Sequence, residues 1–81
     1  LTGQILNSKF YNNYSGLYLS GATAGSVTNS EIAHNIKYGI NIRHDANNLL
    51  IKNNRLYDNG RYDVAVSRGC FNNVIVDNIY Q

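Results

Sequence analysis

Short apolar–polar alternations recur along this chain at a nearly constant interval. The fullest is Tyr38-Gly39-Ile40-Asn41-Ile42-Arg43, with Gly16-Leu17-Tyr18-Leu19 before it and Asp63-Val64-Ala65-Val66 after it. Alternation with period two marks a half-buried strand. A second unit recurs as Ile5-Leu6-Asn7-Ser8-Lys9-Phe10, Val27-Thr28-Asn29-Ser30-Glu31-Ile32, Ile51-Lys52-Asn53-Asn54-Arg55-Leu56 and Ile75-Val76-Asp77-Asn78-Ile79-Tyr80, at offsets of 22, 24 and 24 residues. The first three copies each lead to a further polar corner, Asn12-Asn13, His34-Asn35 or Asp58-Asn59. Self-similarity at such a period predicts a solenoid. The first repeat is two residues short, one missing between Asn13 and Leu17 and one between Leu19 and Val27.

Stacking the copies puts like on like. Ile5, Val27, Ile51 and Ile75 form one apolar column, and Phe10, Ile32, Leu56 and Tyr80 a second. Leu17/Leu19, Ile40/Ile42 and Val64/Val66 form a paired third. Three columns per turn predict three short strands per coil, each pairing in parallel with its equivalent about 4.8 Å away. The expected fold is therefore all-β, a single-stranded parallel solenoid over residues 1–81 with about three coils of 22–24 residues. Asn13, Asn35 and Asn59 should stack at one corner, and Ser8, Ser30, Asn54 and Asn78 at another, where amides can donate and accept along a ladder. Lys9, Glu31 and Arg55 alternate in sign up one face. The small-residue stretch Ser20–Ser26 is expected to be the most flexible segment.

Composition sharpens this picture. Fourteen asparagines suit tight turns and weaken helices, which argues against a helical bundle. Cys70 stands alone, so neither an intrachain disulfide nor a cysteine-based zinc site can form, and a small core or turn position is expected for it. His34 and His44 are too few for a metal motif. His34 aligns with Asn12 and Asp58, as a surface corner residue or, paired with Asp58, a weak metal site. No apolar run is long enough to span a membrane, and no signal peptide is evident. The net charge of +2 comes from scattered Lys and Arg, which excludes a nucleic-acid footprint. The absent initiator Met, with the repeat already under way at Ile5, suggests part of a longer chain. Uncapped parallel strands otherwise invite end-to-end self-association.

With these columns in place, the units NSKFYNNYSGLYL, NSEIAHNIKYGINI and NNRLYDNGRYDVAV resemble the right-handed parallel β-helix, or pectate lyase-like, superfamily. The stretch from Asn35 to Gly69, closing on Val66-Ser67-Arg68-Gly69, is most similar to mannuronan C5-epimerase repeats. That resemblance implies a secreted or cell-surface protein acting on an acidic polysaccharide; no cofactor is expected, since Asp45, Asp58, Asp63 and Asp77 are dispersed among corners, and calcium enters only as one the family can carry. The sequence departs from the epimerase signature. Asn41 stands where the family has Asp, His44 lies one residue late, Ser15 replaces another Asp, and Lys37-Tyr38 replaces an Arg-His pair.

In the resembled enzymes the polymer lies along the outer face of the sheet built from the Gly-apolar-x-apolar strands. Here that face carries Tyr18, Asn41 and Ala65 in one column and Ser20, Arg43 and Ser67 in the next, flanked by Tyr38, Tyr62, Lys37 and Arg61. Aromatic rings stack on sugars, and amides and guanidinium groups bond hydroxyls or carboxylates. The substrate-binding set is thus Tyr18, Lys37, Asn41, Arg43 and Tyr62; the alternative is a solvated sheet face. Tyr38, His44 and Arg68 form the candidate catalytic set. His44 and Arg68 are equivalent positions one coil apart, and a guanidinium beside an imidazole favours the neutral ring that a general base needs. Their other reading is a polar turn in which Asp45 offsets Arg43 or Arg68. Asn13-Tyr14-Ser15 is formally a glycosylation sequon, discounted because a ladder residue would be unavailable. Two functions follow: a polysaccharide-binding or polysaccharide-modifying segment of epimerase or lyase type, or a non-catalytic structural module of a tailspike, adhesin or filament.

Overall fold

The alternating segments become strands and the polar doublets become corners. The computed structural model describes residues 2–81. Its strands are β1 (Gln4–Leu6), β2 (Lys9–Tyr11), β3 (Ser15–Ser20), β4 (Ser26–Thr28), β5 (Glu31–Ala33), β6 (Tyr38–Arg43), β7 (Leu50–Lys52), β8 (Arg55–Tyr57), β9 (Tyr62–Val66) and β10 (Val74–Val76). They form three parallel sheets ordered β1-β4-β7-β10, β2-β5-β8 and β3-β6-β9, so each coil contributes one strand to every sheet. The molecule is a parallel β-solenoid of about three turns.

The register matches the predicted columns. Ile5 pairs with Val27, Val27 with Ile51 and Ile51 with Ile75. Phe10, Ile32 and Leu56 stack, as do Leu17, Ile40 and Val64, and Leu19, Ile42 and Val66. The two missing residues fall as expected. The offset is 22 at Phe10–Ile32, 23 from Ser15–Tyr38 to Ser20–Arg43, and 24 at Thr23–Asn47. Val27, Ile32, Ile40, Ile42, Ile51 and Leu56 are fully buried, and each such side chain contributes about 1.5–3 kcal/mol. Tyr80 departs from the expected column. Arg55 bridges Ile79 in register, but Tyr80 itself is 52% exposed and adds nothing to the core.

Two features explain the asparagines. At the corners the backbone turns through the left-handed region, which Asn and Asp tolerate. Asn7, Asn29, Asn53 and Asp77 (φ 51°, 53°, 59° and 56°) stack at one corner, and Asn12, His34 and Asp58 (φ 61°, 57° and 51°) at the next. Inside the corners, buried amides tie coil to coil. Asn54 Oδ1 accepts the Ser30 N–H (3.0 Å), while its Nδ2 donates to the Val27 carbonyl (2.9 Å) and to Asn78 Oδ1 (3.1 Å). Asn35 Oδ1 accepts the Asn13 N–H (3.1 Å), and its Nδ2 donates to the Phe10 carbonyl (3.2 Å) and to Asn59 Oδ1 (2.9 Å). This second ladder also accounts for the glycine of the strand motif. A Cβ on Gly39 would lie 2.4 Å from the Asp63 carbonyl and 2.8 Å from Asn59 Nδ2, so the amide needs that space empty.

The Ser20–Ser26 stretch differs from expectation. It is a packed corner. Ala22 is buried above the equally buried Ala46, and Cys70 packs against the same cluster as the next member of the column. Thr23 bridges Asn47 in parallel, the Ala24 N–H donates to the Asn47 carbonyl (3.1 Å) and the Leu50 N–H to the Gly25 carbonyl (3.0 Å). The small residues are there because the turn lies against its neighbour. Asn73 supplies a third ladder site, accepting the Leu49 N–H (3.0 Å) and donating to the Ala46 carbonyl (3.1 Å).

Replacing Asn54 with Ala strands the Ser30 N–H and the Val27 carbonyl in the interior. The expected loss is on the order of 3 kcal/mol in urea unfolding, against a change within about 0.5 kcal/mol for exposed Lys9→Ala. At the third corner Ala24 holds φ 59° where Asn48 and Asn72 hold 60°. Ala24→Asn should therefore stabilise by up to about 1 kcal/mol in the same assay.

Candidate functional site

Two outward faces carry functional side chains, and they differ in kind. On the second sheet the outward rows are Lys9, Glu31, Arg55 and Tyr11, Ala33, Tyr57. Ala33 lies between the two tyrosines and is fully buried. Both tyrosine hydroxyls donate to the same Glu31 oxygen, Tyr57 at 3.2 Å and Tyr11 by a shorter bond. Arg55 lies 3.6 Å from the other Glu31 oxygen and 4.5 Å from the centre of the Tyr57 ring. Beside them His34 presents its ring edge-on to Tyr11 and Tyr57, and its Nδ1 lies 2.6 Å from Asp58 Oδ2. Only these two ligand-type groups meet at His34, and no cluster of three such residues occurs among the described residues. Tyr11, Glu31, Arg55 and Tyr57 thus engage one another and act as a clamp across three coils.

The outward face of the third sheet is open. Its outward rows run Tyr18, Asn41, Ala65, then Ser20, Arg43. Along one edge the Lys37 N–H donates to the Tyr14 carbonyl (2.9 Å) and the Arg61 N–H to the Lys37 carbonyl (2.7 Å), so Tyr14, Lys37 and Arg61 form a column. Beside it the Tyr38 and Tyr62 rings stack 6.2 Å apart and 8° from parallel. The Lys37 ammonium sits 5.2 Å from the Tyr38 ring centre and 5.8 Å from that of Tyr14. Arg61 approaches the Tyr62 ring (5.5 Å), and Arg43 approaches that of Tyr38 (5.7 Å). Tyr38 and Arg43 stand at opposite ends of β6, so they lean towards each other along the face. Tyr14, and after it Tyr38, favours the Lys37 cation and holds it above the ordinary lysine range, and Tyr62 does the same for Arg61.

The structure thus brings together Lys37, Tyr38, Arg43 and Tyr62 of the predicted residues, with Tyr18 and Asn41 beside them. His44 makes its contacts with Tyr18 of the preceding coil. Its Nε2 lies 3.0 Å from the Tyr18 hydroxyl, with the rings edge to face at 6.3 Å. Neither His44 nor Asp45 bonds Arg68 among the described residues, and Asp45 Oδ1 instead lies beside Gly69. His44 and Asp45 both take positive φ (54° and 59°) at this corner. The Asn13 side chain is exposed, and among the described residues its own amide makes no hydrogen bond; only its N–H joins the ladder. The ladder therefore does not occupy this amide.

The family described as a right-handed β-helix region matches residues 2–81. The chain belongs to that right-handed β-helix family. No curated protein and no solved structure matches it. Sequence reasoning missed two parts of this β-helix. Tyr14 belongs to the Lys37–Arg61 column, and the Tyr11–Tyr57 clamp closes over Ala33. Both follow the repeat and were open to the same alignment that found the core.

In the clamp, partial burial first and then the hydrogen bond and charge of Glu31 push the Tyr57 phenol above its ordinary value. A folded-state value raised above the unfolded one contributes stability at pH below about 10, which is lost as pH rises through the folded value. Urea unfolding from neutral to strongly alkaline pH should thus show a steeper loss for the wild type than for Tyr57→Phe above about pH 10.

Proposed function

We propose that this β-helix segment binds an acidic polysaccharide along the outward face of its third sheet. The observation that carries the reading is the strip of Lys37, Arg43 and Arg61. Each lies against a tyrosine ring, and none is paired with a carboxylate among the described residues. Free cations beside aromatic faces suit a uronate polymer, whose carboxylates take charge-assisted hydrogen bonds while its rings stack. The second-sheet face lacks this character because its Arg55 and Glu31 are already joined. The resemblance to mannuronan C5-epimerase repeats supports the same ligand class.

A modifying activity on that face needs a base for the sugar C5 proton and a cation beside the carboxylate. His44 and the Tyr18 hydroxyl, 3.0 Å apart, offer a base and acid pair, and Arg43 offers the cation. Tyr38 then serves as a stacking platform, and Arg68 keeps an auxiliary place at the His44 corner. The rod-like structural role draws support from Asn41 and Ser15 standing where the epimerase signature has Asp.

Titration calorimetry with alginate and polygalacturonate tests the proposal. Binding should weaken steeply with added salt, and Lys37→Ala or Arg61→Ala should each cut affinity roughly tenfold, about 1.4 kcal/mol. Unsaturated products or C5 inversion would add catalysis, to be abolished in His44→Ala. Absence of binding to both polymers at low salt would sink the carbohydrate reading and leave the structural one.

A further inference from the structure

Asn41 is out of keeping with every other buried amide in the solenoid. It is only 7% exposed, yet its Oδ1 is sealed from solvent and accepts no hydrogen bond, the one buried side-chain polar atom so placed among the described residues. Asn35 and Asn54, equally buried, use both ends of their amides in the ladders. Turning the Asn41 amide over leaves an unpaired N–H in the same place. Its neighbours are already engaged or inert. Tyr18, one coil before, shares its hydroxyl with His44, and Ala65, one coil after, has no polar side-chain atom. Ala65 also shows that the solenoid accepts a methyl group in this column. The amide is therefore a standing cost to the fold, which an apolar residue of suitable size removes.

Asn41 also lines a groove of about 510 Å³ with Tyr14, Ser15 and Tyr18. The Lys37 ammonium stands at its rim, 5.8 Å from the Tyr14 ring centre. The terminal torsion of asparagine is broad, and rotation about it brings Oδ1 to the groove.

We infer that Asn41 is a specificity residue of the face proposed above, and on that reading it rests: Oδ1 accepts a hydrogen bond from a hydroxyl of a sugar ring held between Tyr14 and Tyr18, while Lys37 takes the carboxylate. The unpaired amide gains its partner only when the sugar arrives. A site built to bond a hydroxyl discriminates against sugars that lack it.

Asn41→Ala separates this from a structural role, because the two properties should move in opposite directions. Thermal unfolding is expected at a melting temperature higher by about 5 °C, while affinity for alginate or polygalacturonate falls roughly tenfold. The salt dependence of the residual binding should match the wild type, whereas Lys37→Ala should flatten it, since of these two residues only Lys37 carries charge. A variant that melts lower would show that the amide supports the fold, and the inference would fail. It would equally fail if Asn41→Ala bound as tightly as the wild type, with the polysaccharide reading intact. Failure of the wild type itself to bind either polymer would remove both.

Discussion

Each coil is held to the next by backbone hydrogen bonds that only one residue register satisfies, and the buried amides at the corners set that register. An asparagine such as Asn54 accepts from the coil before it, donates to a carbonyl there and donates to the amide after it. Slipping the stack by one residue would break all of these together and turn every inward side chain to the wrong face. The ladders also explain why the strands are only three to six residues long. The corners, and not extended pairing, hold the coils in line.

That constraint reaches the candidate site. The Asn59 amide needs the room left by Gly39, so the motif that looks like a strand signature is also a clearance for the ladder. With Gly39 bare, Tyr38 and Arg43 can lie along β6, and the same stacking that aligns the core aligns Tyr14, Lys37 and Arg61 into a cationic and aromatic strip. The second sheet uses the same repeat for the opposite result. Its tyrosines close over Ala33 onto Glu31, which engages that carboxylate from two coils at once. A small residue in the middle coil closes one face, and an amide in the middle coil leaves the other open.

The core columns apart from Tyr80, the two expected ladders apart from the Asn13 amide, the outward rows and even the places of the two missing residues were legible in the repeat, because a solenoid converts sequence period directly into spatial neighbourhood. The same logic reached Cys70 as a small packed residue. It stopped where the chain leaves the repeat's plain geometry. Ser20–Ser26 reads as flexible from its small residues, yet close contact between coils is what selects them. The contact of His44 with the Tyr18 hydroxyl joins residues that do not share a column, so equal offsets do not predict it.

By itself, then, the sequence determined the solenoid, its register and which residues share a column, since period, alternation and turn chemistry are local properties. Only the tertiary structure decided which face is closed and which is open, and that the Asn41 amide lies buried without a partner. Those outcomes depend on where long side chains fold once stacked, and on whether a neighbour one coil away has a hydrogen bond left to give. No single coil contains that information.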